Sequence, residues 1–149
     1  MAEEVEDLVR ALYRLGLVRR EIARHALAEL GSHGFTALAV IKSAGAMRVS
    51  DIAERLGIDV SVASRQVNAL ITAGYVSSER DATDGRAYRI TTTDAGAKVL
   101  TESHRRMVAT FSRALEGWST REIAELAERL DLLREDFSTS THPAQGASE

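Results

Sequence analysis

From Val5 onward, apolar side chains recur at Leu8, Leu12 and Leu15, then at Ile22, Ala26, Leu27 and Leu30, before Gly31. This spacing predicts one long amphipathic helix, bent at Gly16 and stopped by Gly31. Such a stripe exceeds what a small domain needs for its own core, so part of it is expected to meet another surface. Residues 35–44 are nearly all apolar and predict a shorter, buried helix closed by Gly45. Ser50 is expected to cap a third helix, SDIAERLG, with Ile52, Ala53 and Leu56 facing inward and Gly57 as the left-handed exit. Asp59 is expected to cap a fourth, VSVASRQVNALITAG, ended by Gly74.

At about 100° per residue, Ala63, Val67, Leu70 and Ile71 gather on one side of the fourth helix. Ser61, Ser64, Arg65, Asn68 and Thr72 fan out on the other, giving a short, polar, donor-rich face. Helices three and four are separated only by Gly-Ile-Asp, with small Ala53 at their crossing and Ile58 in the turn, a helix-turn-helix pattern. Any tight helical hairpin can carry a Gly and an Ala in such places, so the following segment decides. Residues 75–79 and 86–91 are rich in β-branched and aromatic residues, and Asp84-Gly85 between them offers positive-φ turn chemistry, which predicts a hairpin. The whole reads as a winged helix-turn-helix in a mainly α protein. Thr93 is expected to cap a long helix through Val99, Met107, Phe111 and Leu115, broken near Gly117. Ser119 starts the last, with Ile123, Leu126, Ala127, Leu130, Leu133 and Phe137 on its stripe. The polar end STSTHPAQGASE, with the one proline, is expected to be disordered over 139–149.

Composition narrows the function. The 149 residues are 44% hydrophobic but 5% aromatic, so the core is expected to rest on Ala, Leu, Val and Ile. The absence of cysteine removes disulfides, thiolate catalysis and cysteine-ligated zinc and fits a cytoplasmic protein. The acidic start MAEEVEDLVR is unlike a signal peptide, and the mid-chain apolar run Ala37 to Ile41 is too short to span a bilayer, so no membrane partner is expected. The net charge of −3 argues by itself against a polyanion partner, but its distribution does not. Residues 48–93 hold 6 acids and 6 bases, and within them 60–78 carry Arg65 and no acid. His25, His33, His104 and His142 lack H-x-x-x-H spacing, and no Gly-rich phosphate loop or recognisable nucleophile constellation accompanies them, so neither an enzyme nor a metal site is expected.

The stretch RVSDIAERLGIDVSVASRQVNALITAGYVSSERDATDGRAYRITTTDAGAKVL resembles the core of the MarR family of bacterial regulators. The resemblance is strongest at Ile52 to Gly57, at Ser64-Arg65, at Arg80-Asp81-x-x-Asp84-Gly85-Arg86, and at the Thr-x-x-Gly helix start of Thr93 and Gly96. Agreement in helical order extends it over nearly the whole chain. The family's fold would place a DNA-binding domain at 34–93 and dimerisation helices at 1–33 and 94–138. It implies a triangular homodimer on double-stranded DNA, most often a repressor, released by a small anionic or aromatic ligand. No other cofactor is implied. Val60 stands where a polar or basic residue is usual, Ala69 where a charged one is common, and Thr92 where Leu is customary. These departures bear on base preference rather than on fold.

Simple chemistry assigns the site residues. An arginine fork in the major groove can take guanine O6 and N7 together, which suits Arg65, although a phosphate contact is its plainer alternative. Asn68 has the chemistry to pair with adenine, against the simpler reading of a solvated amide. Ser61 and Ser64, near a helix start, can hold phosphate or merely cap the helix. Thr72 continues the same polar face. In the hairpin, Arg80 and Arg86 are cationic, and Arg86 is expected to reach the adjacent minor groove, the plainer alternative being that Arg86 and Arg89 are solubilising charges on exposed strand edges. Asp84 can brace the Arg86 guanidinium or satisfy turn amides. A winged module that binds protein rather than DNA is the rival reading; apolar exposure on the fourth helix would favour it, and Val60 and Val62 lean slightly that way. Arg10, Tyr13 and His33 can each line a ligand cleft or simply sit at helix ends, so no ligand residue is assigned.

Overall fold

A computed structural model describes residues 1–141. The element order is α1 (Ala2–Ala26), α2 (Gly31–Ala44), α3 (Val49–Leu56), α4 (Val60–Thr72), β1 (Val76–Arg80), β2 (Tyr88–Thr92), α5 (Asp94–Ala114) and α6 (Thr120–Thr141). The chain divides into two compact units, Met1–Thr110 and Phe111 onward. No helix among the described residues is long and apolar enough to cross a membrane.

The core of the first unit is the set that the apolar spacing picked out. Leu38 and Ile41 of α2, Ile52 of α3, Val67 and Leu70 of α4, Val76 of β1, Ile90 of β2 and Val99 of α5 form one buried cluster. Ala53 is buried, which lets α3 and α4 pack closely, and Gly57 takes the left-handed conformation at φ 64 that closes α3. β1 and β2 pair antiparallel from Val76 opposite Thr92 to Arg80 opposite Tyr88. Met47 adds one bridge on the far side of β2, exchanging both backbone hydrogen bonds with Ile90.

Several boundaries differ from the sequence expectation. α1 ends at Ala26, and residues 27–30 form a turn in which Leu27 O accepts from Leu30 N and Gly31 N. Gly31, at φ 63, opens α2 rather than merely stopping α1. Ala26 and Leu27 are both buried, so the apolar rhythm runs through the turn and conceals it. Arg48, not Ser50, occupies the N-cap of α3, and its backbone N–H donates to Asp51 Oδ2 at 3.2 Å. Asp59 holds the N-cap position of α4, but through its backbone carbonyl rather than its side chain. Each strand begins later than expected, and the loop between them runs from Asp81 to Ala87. Gly85 is not among the glycines with positive φ, so the expected Asp-Gly turn is not formed.

Thr93 caps α5 as expected, its hydroxyl accepting from Gly96 N at 3.1 Å. Ser119 caps α6 with a reciprocal box: Glu122 N donates to Ser119 Oγ, and Ser119 N donates to Glu122 Oε2. α6 continues to Thr141, so residues 139–141 of the expected disordered tail are helical; 142–149 lie outside the described residues. No described residue from Phe111 onward is buried.

Candidate nucleic-acid interface

α4 separates its two faces as the periodicity requires, except that Ile71, expected on the inner side, is 36% exposed. Ala63, Val67 and Leu70 are buried, whereas Ser61, Arg65, Asn68 and Thr72 are exposed and Ser64 is half-buried at the edge. The Thr72 hydroxyl donates to Asn68 O at 2.9 Å, a local bond within the helix. Among the described residues, Arg65 has no acidic partner. It also lines a cleft of about 340 Å³ with Leu30, His33, Gln66, Leu70 and Tyr75. Glu29 stands at the same cleft, its carboxylate bonded by Arg106 Nη2 at 3.0 Å. Of the residues considered for a ligand, His33 lines this cleft; Tyr13 and Arg10 do not, and Arg10 is held by Glu6 and Asp7 on α1.

In the hairpin, Arg80 Nη1 donates to Gly85 O at 3.3 Å, and its guanidinium carbon lies 5.8 Å from the Tyr88 ring centroid. Two roles were open to Asp84, and the structure supplies the second: Oδ1 accepts from Arg86 N at 3.2 Å, satisfying a loop amide. Its other oxygen lies 3.9 Å from Arg48 Nη2, so the nearby cation is Arg48 rather than Arg86. The Arg86 side chain is exposed and has no acidic partner among the described residues.

Asp81 stands in the wing pattern that carries the resemblance, but sequence reasoning assigned it no role. It is 4% exposed, yet it carries a full charge. Its Oδ1 accepts from the backbone N–H groups of Thr83 at 2.9 Å and Asp84 at 3.4 Å. Its Oδ2 accepts from Arg48 Nη2 and Arg89 Nε, each at 3.0 Å. The Thr83 amide, and next the Arg48 guanidinium, hold this carboxyl well below the usual aspartate range, and the same pairing pushes Arg48 up. Arg89 also donates to Ala46 O at 2.9 Å, fastening β2 to the segment before α3. An Asp two residues before a loop amide is a known turn former, so position alone hinted at half of this arrangement. Arg89 is eight positions on, across the hairpin, but Arg48 lies 33 positions away and left no local trace.

These pairings sort the six arginines of residues 48–93. Arg48 and Arg89 are neutralised at the base of the hairpin. Arg55 on α3, Arg65 on α4, Arg80 at the end of β1 and Arg86 in the loop are exposed and have no acidic partner among the described residues, with Arg65 on the polar face of α4 and Arg86 in the loop. A polar helix face with one such arginine, beside a two-stranded arm with another, has the chemistry to meet a phosphate backbone and base edges. Among the described residues, no group of three or more His, Cys, Asp or Glu side chains is placed to hold a metal ion.

Comparison with known proteins agrees with this geometry. Residues 32–87 match the sequence model of the MarR family. Over 128 residues, covering 86% of this chain and 89% of the other, the sequence is 27% identical to the Bacillus subtilis HTH-type transcriptional regulator YpoP. A MarR family protein from Bacillus stearothermophilus has a similar fold, with TM-score 0.80 and 19% identity over 93% of this chain and 98% of that one. A MarR mutant from E. coli, solved in complex with operator DNA, gives TM-score 0.72 and 17% identity over 87% of this chain and 95% of that one.

Proposed function

We propose that the chain is a transcriptional regulator of the MarR family and that it represses transcription as a homodimer on a pseudo-palindromic DNA operator. The observation that carries this reading is the pair of exposed arginines, Arg65 on α4 and Arg86 in the wing, in a segment whose other basic groups are partly neutralised internally. In this role α4 lies in the major groove. Arg65 takes a guanine edge, Asn68 an adenine, and Ser61, Ser64 and Thr72 supply phosphate or edge contacts. Arg86 enters the neighbouring minor groove, Arg80 flanks it against the backbone, and Asp84 fixes the loop amide beside it.

Support for the homodimer comes from apolar surface left uncovered within one chain. On α1, Val5, Leu8, Leu12 and Leu15 are 53%, 45%, 37% and 51% exposed. On α6, Ile123, Leu126 and Leu130 are likewise exposed. Stripes of this kind are what a partner helix covers. Two-fold symmetry then calls for half-sites about 34–36 Å apart. A regulator of this kind works in the cytoplasm, with regulation rather than catalysis as its role.

Release by a small anionic or aromatic ligand fits the cleft beside α4. Leu30, Leu70 and Tyr75 offer apolar and aromatic contact there, and Arg65 and His33 offer polar ends. A coupling of roughly 1–3 kcal/mol between ligand and DNA suffices for a useful switch.

The rival, a winged module that binds protein, draws on Val60, which is 54% exposed at the start of α4. Titration of the full chain with fragments of DNA upstream of its own gene, at several salt concentrations, separates the two. The proposal expects a salt-sensitive shift that Arg65→Ala weakens. No shift with any genomic fragment at low salt would favour the protein-binding module.

A further inference from the structure

The loop from Asp81 to Ala87 lies beyond the last strand pair, Arg80 with Tyr88, so the ladder does not hold it. Its order comes from a few local bonds. Asp81 N donates to Ala87 O and Ala87 N to Asp84 O, both at 2.9 Å. Asp81 Oδ1 collects the amides of Thr83 and Asp84, and Asp84 Oδ1 collects that of Arg86. The other Asp81 oxygen reaches out of the hairpin to Arg48, the N-cap residue of α3, and to Arg89 on β2. One buried carboxylate therefore ties the shape of the loop to the helix-turn-helix frame.

We propose that Asp81 is the positioning residue of the wing, fixing the loop against the start of α3 in the free protein so that Arg86 meets a duplex already oriented. The proposal rests on the DNA-binding reading above. Its physical basis is preorganisation: a loop ordered in advance does not lose its freedom at the moment of binding. Electrostatics alone gives the opposite sign. Removing an acid and unmasking Arg48 and Arg89 would strengthen attraction to phosphate, so a charge-only role predicts that Asp81→Ala tightens binding.

The experiment compares wild type, Asp81→Ala, Arg86→Ala and the double variant in two measurements on the full chain. In hydrogen exchange without DNA, the Asp81→Ala amides of residues 82–87 are expected to exchange about tenfold faster or more, with the amides of Leu38, Ile52 and Leu70 unchanged. In titration with an operator duplex, Asp81→Ala is expected to weaken binding by about tenfold, and by less than about twofold when Arg86 is already alanine. Asp81→Asn, which keeps an acceptor for the loop amides but loses the charge that holds both arginines, serves if the alanine variant does not fold, and is expected to weaken binding in the same Arg86-dependent way. Three results would overturn the inference alone while wild type binds DNA: tighter or unchanged binding, a loss that persists in full without Arg86, or loop amides that stay protected. A wild-type chain that binds no duplex at low salt overturns the DNA-binding reading and this inference together.

Discussion

Gly96, on the first turn of α5, lies so close to Tyr75 that a Cβ there would collide with the Tyr75 backbone carbonyl. The same carbonyl accepts from Thr93 N at 3.1 Å, and the Thr93 hydroxyl donates to Gly74 O at 2.7 Å. These contacts fasten the start of α5 to the junction of α4 and β1. Because the obstructing atoms are backbone, they cannot move aside as a flexible side chain would. Gly96→Ala is expected to destabilise the fold by roughly 1–3 kcal/mol, the usual range for overpacking. Thr93→Ala is expected to cost about 1 kcal/mol for the lost cap. Urea unfolding monitored by circular dichroism reads both, and an unchanged midpoint for Gly96→Ala would contradict the close approach.

The two kinds of sequence signal fared differently. Helical periodicity placed Ala63, Val67 and Leu70 inward on α4 and its polar residues outward, because that pattern is set by neighbours three and four apart. It missed the break after Ala26, since buried Ala26 and Leu27 keep the rhythm while the backbone turns. The hairpin was legible from its β-branched and aromatic residues, but its connection was not. Asp84-Gly85 suggested a tight turn, whereas a seven-residue loop is organised by Asp81. Half of that organisation depends on Arg48, 33 positions away, a distance that local pattern cannot register. The Thr93 and Gly96 spacing was noticed as a family feature, and the collision with Tyr75 supplies its physical reason.

Arg65 and Arg86 should fail differently when removed. If Arg65 reads a base edge, Arg65→Ala costs roughly 1–3 kcal/mol of operator binding and relaxes preference at one position of each half-site. If Arg86 occupies a narrow minor groove, Arg86→Ala instead weakens binding most on sites with A·T-rich flanks. Selection from randomised duplexes checks both. A uniform loss for Arg65→Ala across all sequences, with the salt slope reduced by about one unit, would assign it to phosphate.

The α1 stripe makes a separate prediction about assembly. Leu8 and Leu12 are 45% and 37% exposed in one chain, and a charge placed on a surface that a partner must cover is costly to desolvate. Leu8→Asp and Leu12→Asp are expected to shift the protein to monomer in sedimentation at micromolar concentration. DNA affinity should then fall by about 10² or more, because the second half-site no longer binds at high local concentration. A wild-type protein that is itself monomeric would remove the basis for a two-fold operator.

Acid should loosen the wing in a defined window. Asp81 has a folded-state pKa depressed below its ordinary 3.8, chiefly by the Thr83 amide and then by Arg48. At every pH below that ordinary value, the unfolded chain therefore binds more protons at this position than the folded one. The stability contributed by ionised Asp81 is complete above 3.8, starts to drain as pH falls past it, and is gone once pH has dropped through the depressed folded value. Glu102 and Glu122 are also lowered, by Arg105 and Ser119, and act in the same direction, so wild type alone cannot isolate the effect. Subtracting the Asp81→Asn variant does. The stability gap between the two proteins, from urea unfolding, is expected to hold steady from neutral pH down toward 3.8 and to narrow below it. A gap that keeps its neutral-pH size well under 3.8 would mean that the arginines and loop amides do not depend on the charge of that carboxylate.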